Sequence, residues 1–433
     1  MNHGSGAMAK LKASRRGSVP AFIALEVLRD ANVRAEAGAS VLHLEIGQPS
    51  TPAPAAVIEA AKLALDTQQI GYTESLGLPA LRRRIARHYR DFYGVEVDPE
   101  RVVVTTGSSG AFLLGFLAAF DPGNRVALAA PGYPAYRNIL LALDLVPVSL
   151  RTGPETRFQP TVELLDGLDA PVDGLIVASP GNPTGTMLSG DELERLCDYC
   201  RACGIRLVSD EIYHGITYGE QPATAAALWH DAIVVNSFSK YFSMTGWRLG
   251  WMIVPEKLLR PVERLAQNLF ISPPTLPQHA AIAAFDCRDE LDANVRRYAR
   301  NRELLLAGLP AAGFDRLTPP DGAFYLFADV TRLTNDSREF CRRMLAETGV
   351  ATTPGVDFDT ERGHRYITLL LRRLERRYRG GDSPPDHLAL LVGPGEAAVL
   401  PTGPAAATSP GAAAWQARAA SAPQRAQARR PPV

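Results

Sequence analysis

Lys240 lies in the segment of this chain that is best suited to chemistry. Ser237 precedes it by three residues and Arg248 follows it by eight, in a stretch rich in glycine and hydroxyl side chains. An amine can condense with an aldehyde, while a hydroxyl and a guanidinium can bind a phosphate. The chain has only five lysines among its 46 basic residues. A lysine in this setting therefore indicates a site for a ligand that carries both an aldehyde and a phosphate.

The predicted strands are short apolar runs that alternate with predicted helices. They occupy residues 101–105, 125–129, 175–178, 206–209, 233–236 and 251–254. Because these runs are continuously apolar, they favour a mostly parallel sheet that is covered by helices on both faces. We therefore predict an α/β fold.

Polar residues follow nearly all of these strands. In open α/β sheets, ligands bind in the crevice beyond the carboxyl ends of the strands. The chain is therefore predicted to collect several polar side chains in one crevice: Ser108, Tyr133, Asn182, Asp210, Tyr213, Ser237 and Lys240. Their convergence is stronger evidence for a site than any short motif alone.

The pattern changes after residue 270, where three prolines interrupt the chain. Beyond them, a helix, a strand and a second helix indicate a smaller α+β unit, at residues 291–309, 322–330 and 337–348. The predicted division of the chain is a disordered N-terminus, a small α+β domain in two segments, and a large domain between those segments: residues 1–17, 18–60 with 290–367, and 61–289.

Bulk composition argues against several classes of protein. The formal net charge is zero at pH 7, which is unlike a nucleic-acid-binding surface or a protein that binds anionic membranes. The longest apolar run, residues 111–120, has about half the length that spans a bilayer. The basic N-terminus has no apolar stretch behind it, so it does not resemble a signal peptide. We expect a soluble, cytoplasmic protein.

Three of the five cysteines, Cys197, Cys200 and Cys203, have the spacing Cys-x-x-Cys-x-x-Cys. One interpretation is a metal or iron–sulfur site. The other is a helix over residues 191–204 that carries small, buriable thiols. The sequence favours the helix, because no fourth cysteine or nearby histidine completes a set of ligands, and we predict no metal.

Three motifs together resemble the class I/II aminotransferases, which are fold type I enzymes dependent on pyridoxal 5′-phosphate. They are Ser-Pro-Gly-Asn-Pro-Thr-Gly at 179–185, Ser-Asp-Glu-Ile-Tyr at 209–213, and Ser-Phe-Ser-Lys at 237–240 with Arg248. The resemblance covers roughly residues 18–367. It implies a seven-stranded-type sheet in the large domain, a homodimer, and transfer of an amino group between an L-amino acid and a 2-oxo acid.

The resemblance also implies roles around the cofactor ring. Lys240 would bind the aldehyde as an imine and, once freed, carry a proton from the substrate α-carbon. Asp210 would keep the pyridine nitrogen protonated. Asn182 and Tyr213 would donate hydrogen bonds to the phenolate oxygen, and Tyr133 would stack on the ring.

Further roles concern the phosphate and the substrate. The start of a helix at Ser108, Ser109 and Gly110 would bind the phosphate, together with Ser237 and Arg248. Tyr72 would reach the phosphate in the neighbouring subunit. Gly47 and Asn182 would contact the substrate.

The resemblance ends before one expected residue. The family has an arginine that pairs with the substrate α-carboxylate, in a strand that reads roughly Arg-Phe-Ser-Tyr-Ala, whereas this chain reads Thr-Leu-Leu-Leu-Arg at 368–372. Residues 368–433 do not resemble the family, and we predict a disordered tail. A single inserted base near codon 368 would explain this, because allowed codons yield Arg-Phe-Ser-Tyr-Ala when the first base is dropped. Arg365 and Arg372 are possible replacements for the arginine.

Three functions remain open at this point. The first is an aminotransferase, impaired if the carboxylate-binding arginine is missing. The second is a carbon–sulfur β-lyase on the same fold, which would turn over without a 2-oxo acid. The third is a cofactor-binding protein with little catalysis. The sequence does not identify the substrates.

Overall fold

The computed structural model describes residues 11–371 of the chain. The helices within this range are α1 Ile23–Glu36, α2 Ala55–Thr67, α3 Pro79–Tyr93, α4 Gly107–Ala119, α5 Pro134–Ala142, α6 Val162–Asp166, α7 Gly190–Cys203, α8 Ala225–Leu228, α9 Glu256–Leu269, α10 Thr275–Ala284, α11 Arg288–Gly308 and α12 Ser337–Thr348. The strands are β1 Leu42–His43, β2 Val102–Thr105, β3 Arg125–Ala130, β4 Val146–Arg151, β5 Gly174–Ala178, β6 Arg206–Asp210, β7 Ile233–Ser237, β8 Gly250–Ile253, β9 Leu317–Thr318, β10 Tyr325–Asp329, β11 Val350–Ala351, β12 Thr353–Pro354 and β13 Tyr366–Leu370.

Seven strands form the main sheet in the order β2-β8-β7-β6-β5-β3-β4. The sheet is parallel except for β8, which runs antiparallel to β2 and β7. Successive side chains of a strand join different apolar clusters: Val102 and Val104 belong to one, and Val103 belongs to the other. Both faces of the sheet are therefore buried, which confirms the predicted α/β architecture.

Strand β4 was not predicted, because Pro147 interrupts its apolar pattern. Proline cannot donate a ladder hydrogen bond, so it is unfavourable in a central strand. β4 pairs only with β3 and lies at the edge of the sheet, where a missing donor is tolerated.

A second, antiparallel sheet has the order β12-β13-β10-β9, and β1 pairs in parallel with β11. Their strands come from the two segments that the sequence assigned to a small domain. The exact domain boundaries remain a prediction.

Strand β13 continues beyond residue 367, where the sequence analysis placed the end of the small domain. Thr368, Leu369 and Leu370 pair with β10 and are buried, as is Leu371. Residues 368–370 are therefore part of the second sheet, so the predicted tail does not begin at residue 368. Residues 372–433, with the rest of the predicted tail and of the proposed frame shift, lie outside the described residues.

Two other predictions concern the N-terminus and the cysteines. Arg15–Gly17 forms a short 3₁₀-helix, so the described part of the predicted disordered segment has local structure, while residues 1–10 lie outside the description. Helix α7 carries buried Cys197 and Cys200 and exposed Cys203. Burial raises the pKa of the first thiol to about 11 and of the second to about 12, which keeps both protonated.

No helix among residues 11–371 is long and apolar enough to cross a membrane.

Candidate active site

The carboxyl edge of the main sheet gathers the predicted polar side chains. Strands β2, β3, β5, β6 and β7 all end there, and the residues at or soon after their ends are Gly107, Tyr133, Asn182, Asp210 and Lys240. Strand β8 runs in the opposite direction. Its first residue therefore lies at the same edge, directly after Leu249 and Arg248.

This edge opens into a cavity of about 630 Å³. Its wall contains nine of the twelve residues that the sequence predicted for the site: Gly47, Ser108, Ser109, Tyr133, Asn182, Asp210, Tyr213, Lys240 and Arg248. Gly110, Ser237 and Tyr72 are not part of the wall. Tyr72 is 82% exposed, on the loop before α3.

Lys240 projects from the turn after β7 and is partly buried. Its Nζ donates a hydrogen bond to the carbonyl of Gly47. Burial lowers the pKa of Lys240 to about 8, and this effect outweighs the opposing influence of the Asp210 carboxylate. A fraction of the amine is therefore neutral near pH 8, which is the form that attacks an aldehyde or accepts a proton.

Asp210 is held from two sides at the end of β6. Its Oδ1 accepts a hydrogen bond from Ile212 N at 3.0 Å, and its Oδ2 accepts one from the Tyr136 hydroxyl. Burial raises the pKa of this carboxyl to about 6, against the lowering effect of both hydrogen bonds. Tyr136 was not predicted from the sequence, although its position three residues after Tyr133 at the start of α5 could have suggested a shared helix face.

We expect Asp210→Asn to stabilise the cofactor-free protein at neutral pH. Because burial raises the pKa of Asp210 from 3.8 to about 6, the folded state binds this proton more tightly than the unfolded chain. The stabilisation is complete below about pH 4 and is lost as the pH rises through about 6. An amide avoids that loss, which corresponds to about 3 kcal/mol.

Chemical unfolding of the cofactor-free wild type and variant across this pH range measures the effect. The advantage of Asp210→Asn over the wild type should be largest near pH 8 and should shrink toward about pH 4. An advantage that is independent of pH would contradict the assignment to this carboxyl.

Tyr213 and Tyr325 bring their hydroxyl oxygens within 2.6 Å of each other. Tyr325, from β10, was not predicted, since a strand pattern does not reveal which loop a side chain will meet. An ideal Cβ at Gly47 would lie 1.9 Å from Tyr325 Oη, so only glycine leaves room for this hydroxyl.

The start of α4 and Arg248 form the cationic end of the cavity. Gly107, at φ +74°, allows the Arg248 guanidinium to approach the first turn, because a Cβ there would lie 2.5 Å from Nη2. Free N–H groups at a helix start and a guanidinium both favour an anion. Arg248 Nη1 donates to the carbonyl of Thr245 at 2.9 Å, which fixes its direction.

Ser237 is not part of the cavity wall, and its hydroxyl makes hydrogen bonds within the protein. It contacts the carbonyl of Leu249 at 3.0 Å and Ser239 Oγ at 2.8 Å. Because a carbonyl can only accept, the single proton of Ser237 is best used there. Ser239 contributes to the cavity wall instead of Ser237. The two serines are only two residues apart in the sequence, so the motif alone did not show which of them lines the cavity.

The donor set fits a phosphorylated pyridine aldehyde. It combines the Lys240 amine, the Asp210 carboxylate and the cationic end formed by Arg248 and the start of α4, and the wall also contains the aromatic side chain of Tyr133. Asn182 Oδ1 is buried and has no hydrogen-bond partner among residues 11–371, so this oxygen is available to accept a hydrogen bond from a ligand.

Another unpartnered polar group is Thr368, which occupies the position where the family resemblance implies an arginine. Its Oγ1 is buried without a partner among the described residues, and Thr368 belongs to the cavity wall. Only two cationic side chains, Lys240 and Arg248, occur in that part of the wall which the structure describes.

Comparisons with known proteins agree with this arrangement. The sequence model of the family described as aminotransferase class I and II matches residues 39–369. The valine–pyruvate aminotransferase of Mycobacterium tuberculosis is 50% identical over 359 residues, which are 82% of this chain and 92% of that protein.

Solved structures of aminotransferases are also similar to this chain. A crystal structure of an aminotransferase from Mycobacterium tuberculosis has a TM-score of 0.82 at 49% identity, covering 84% of this chain and 95% of that chain. The aspartate aminotransferase of Thermus thermophilus, solved with maleate, has a TM-score of 0.79 at 31% identity, covering 84% and 95%.

The chain therefore belongs to the class I and II aminotransferase family. It is a pyridoxal-phosphate-dependent transaminase of fold type I, which moves an amino group between an amino acid and a 2-oxo acid. The resemblance, fold class, cofactor and reaction that the sequence predicted are confirmed.

Proposed function

We propose that this aminotransferase takes the amino group of a neutral, aliphatic L-amino acid and passes it to a small 2-oxo acid, with Lys240 as the residue that binds the cofactor. The observation that carries the proposal is the convergence of Lys240, Asp210 and the start of α4 on one cavity. These groups supply an amine, an acidic partner for a ring nitrogen and an anion site.

The chain's own residues divide the work around the reacting atoms. Bound pyridoxal phosphate supplies an aldehyde that condenses with amines and a ring that accepts electrons from the substrate α-carbon. Lys240 Nζ takes the proton from that α-carbon. Asp210 keeps a proton on the pyridine nitrogen, and Tyr136 holds the Asp210 carboxylate in place. Tyr213 and Asn182 donate to the ring oxygen.

The remaining roles concern orientation. Tyr133 stacks on the ring, and Phe22 supports it with an edge-on contact at 5.9 Å between ring centres. Ser108, Ser109, Gly110 and Arg248 hold the phosphate. Ser237 supports this end through Ser239, whose hydroxyl lies in the cavity wall.

The substrate side chain would meet an apolar wall. Phe22, Leu25, Ile46 and Phe358 line the cavity, as does the buried carboxylate of Glu45. A carboxylate on the substrate side chain would find no cation to pair with, because Lys240 and Arg248 are assigned to the cofactor. It would also approach the carboxylate of Glu45, and this repulsion disfavours acidic amino acids. The Mycobacterium tuberculosis relative is a valine–pyruvate aminotransferase, which supports the same preference.

A homodimer would complete the site. Tyr72, Ile70, Leu269 and Ile271 are exposed on two neighbouring segments, which are joined where Thr275 donates to the carbonyl of residue 71. Exposed apolar side chains grouped in this way are typical of a protein interface. We propose that the partner's copy of the Tyr72 loop reaches the phosphate end of the cavity.

A hybrid experiment is expected to reveal the shared site. Tyr72→Ala and Lys240→Ala each damage every site of their own dimers. A mixed dimer, however, has one undamaged site, because an intact Lys240 then meets an intact Tyr72. Refolding an equal mixture should restore about a quarter of the wild-type activity, since half of the dimers are mixed and each has one good site of two.

Each variant refolded alone is the control for this experiment. A mixture no more active than the better of the two variants would mean that Tyr72 serves its own subunit or none.

Donor specificity tests the proposed function. Conversion of the cofactor to its amine form can be followed by absorbance with valine, alanine, leucine, aspartate and glutamate. We expect the neutral aliphatic donors to react faster than the acidic ones, and steady turnover to require a 2-oxo acid. Turnover without a 2-oxo acid would indicate a lyase, and faster reaction of aspartate would overturn the proposed substrate class.

A second candidate is a cofactor-binding protein with weak catalysis. The observation that favours it is Thr368, which leaves the described cavity wall without a cation for the substrate α-carboxylate. Cofactor absorbance without any change on adding amino acids would support this alternative.

A further inference from the structure

The hydroxyls of Tyr213 and Tyr325 form a buried pair beside the reacting lysine. Their oxygens are 2.6 Å apart, and both residues are less than 5% exposed. Lys240 Nζ lies 5.6 Å from the centre of the Tyr213 ring and donates to the carbonyl of Gly47. Gly47 is the residue whose missing side chain leaves room for the Tyr325 hydroxyl.

The pair joins two separate parts of the fold. Tyr213 follows β6 of the main sheet, whereas Tyr325 begins β10 of the second sheet. A ring contact at 5.5 Å between centres, with the planes at 82°, fixes their relative orientation. The positions of both hydroxyl groups are therefore set by the packing of the two rings.

The direction of this hydrogen bond follows from counting protons. Each hydroxyl has one proton to donate and can accept as well. In the proposed function, Tyr213 donates its proton to the cofactor ring oxygen. The bond between the two tyrosines must then be donated by Tyr325 and accepted by Tyr213.

We propose that Tyr325 is a positioning residue that acts through Tyr213: by donating to the Tyr213 oxygen, it directs the Tyr213 proton into the cavity and strengthens that donor. The inference rests on the proposed function. Hydrogen bonds in a chain polarise one another, so a phenol that accepts a bond becomes a better donor.

Other groups near the pair belong to the same site. Asp210 and Tyr133 are the nearby titratable groups whose charges act on the two phenols, and the Lys240 amine lies 5.6 Å from the centre of the Tyr213 ring. Burial raises the pKa of Tyr325 and of Tyr213 above the ordinary phenol range, so both remain protonated and able to donate.

The pKa of the Lys240–cofactor linkage reports on this hydrogen-bond chain. When the linkage nitrogen is protonated, its proton is shared with the cofactor ring oxygen. When that nitrogen is unprotonated, the ring oxygen depends on hydrogen bonds from the protein. Protein donors to the ring oxygen therefore favour the unprotonated linkage. Losing part of this donation should therefore raise the linkage pKa. Absorbance titration of the holoenzyme measures the pKa directly, without turnover.

We expect Tyr325→Phe to raise the linkage pKa by about 0.3–1 unit, the shift that corresponds to weakening one buried hydrogen bond. Tyr213→Phe should give a larger rise. Adding Tyr325→Phe to Tyr213→Phe should give no further rise, because Tyr325 then has no donor to act through.

Tyr218→Phe is the matched control. The Tyr218 hydroxyl donates to the carbonyl of Ala323 at 2.5 Å, so its loss also removes a hydrogen bond that joins the two parts of the fold. Tyr218 lies outside the described cavity wall, and the linkage pKa of this variant should equal that of the wild type.

The outcomes distinguish a failure of the proposed function from a failure of this inference alone. If the wild-type protein forms no lysine-bound cofactor, or Tyr213→Phe leaves the linkage pKa unchanged, the proposed roles fail and this inference fails with them. If those roles hold but Tyr325→Phe titrates like the wild type, only this inference is overturned. An equal shift in both backgrounds, or in Tyr218→Phe, overturns it as well.

Discussion

Replacing Lys240 with alanine is expected to abolish amino transfer. The side chain is assigned both the covalent attachment of the cofactor and the proton transfer at the substrate α-carbon. Positioned general acid–base catalysis alone contributes about 10²–10⁴-fold, so we expect kcat to fall by at least about 10³-fold. Borohydride treatment should reduce the cofactor onto the wild-type protein and leave none attached to the variant.

Two controls make this result specific. Lys257→Ala removes another lysine, exposed in α9, and should retain wild-type activity and absorbance. A small primary amine added to Lys240→Ala should restore part of the half-reaction, because it can replace the missing base. A yellow, borohydride-reducible protein adduct in Lys240→Ala would refute the assignment.

Sequence periodicity located the elements whose pattern is local. Helix α12 has the predicted bounds, and the helix over residues 191–204 corresponds to α7 within one residue at each end. Strand β4 was not predicted because Pro147 interrupts its apolar pattern, which is tolerated only because β4 lies at the edge of the sheet. The extent of β13 was also not predicted, because the family resemblance ends near residue 367 and the small domain was predicted to end there as well. Pairing with β10, a tertiary contact, extends that strand.

The same distinction applies to the site. Residues at the ends of strands, such as Asp210 and Lys240, were predictable because a parallel sheet brings its carboxyl ends together. Tyr325 was not, because it reaches the site from a different sheet. Ser237 illustrates a finer limit: whether it or Ser239 faces the cavity depends on the turn after β7, and a hydrogen bond to Leu249 decides it.

Replacing Thr368 with arginine is expected to increase activity. The register of β10 and β13 places Thr368 opposite Phe327, so Thr368 and Tyr325 lie on the same face of the second sheet, toward the cavity. The threonine hydroxyl is buried and unpartnered among the described residues. An arginine there would meet the substrate α-carboxylate, and a charge-assisted hydrogen bond contributes about 1.5–3 kcal/mol.

This range corresponds to a rise of about 10- to 100-fold in kcat/KM for an amino acid donor. Thr368→Gln is the matched control, since it adds length and hydrogen-bonding groups without charge. A second control is the amine that corresponds to valine without its carboxylate, which should react equally well with both proteins.

The experiment also bears on the origin of residue 368. A gain with Thr368→Arg, together with coding DNA whose alternative frame encodes Arg-Phe-Ser-Tyr-Ala, would support the inserted-base hypothesis. If a folded, cofactor-loaded Thr368→Arg protein gains nothing with valine, then another group binds the carboxylate. The neutral amide donors in the wall, Asn182 and Gln48, would then be the first to test. Transaminases need their substrate oriented as much as bound, so the α-carboxylate contact should affect kcat together with KM.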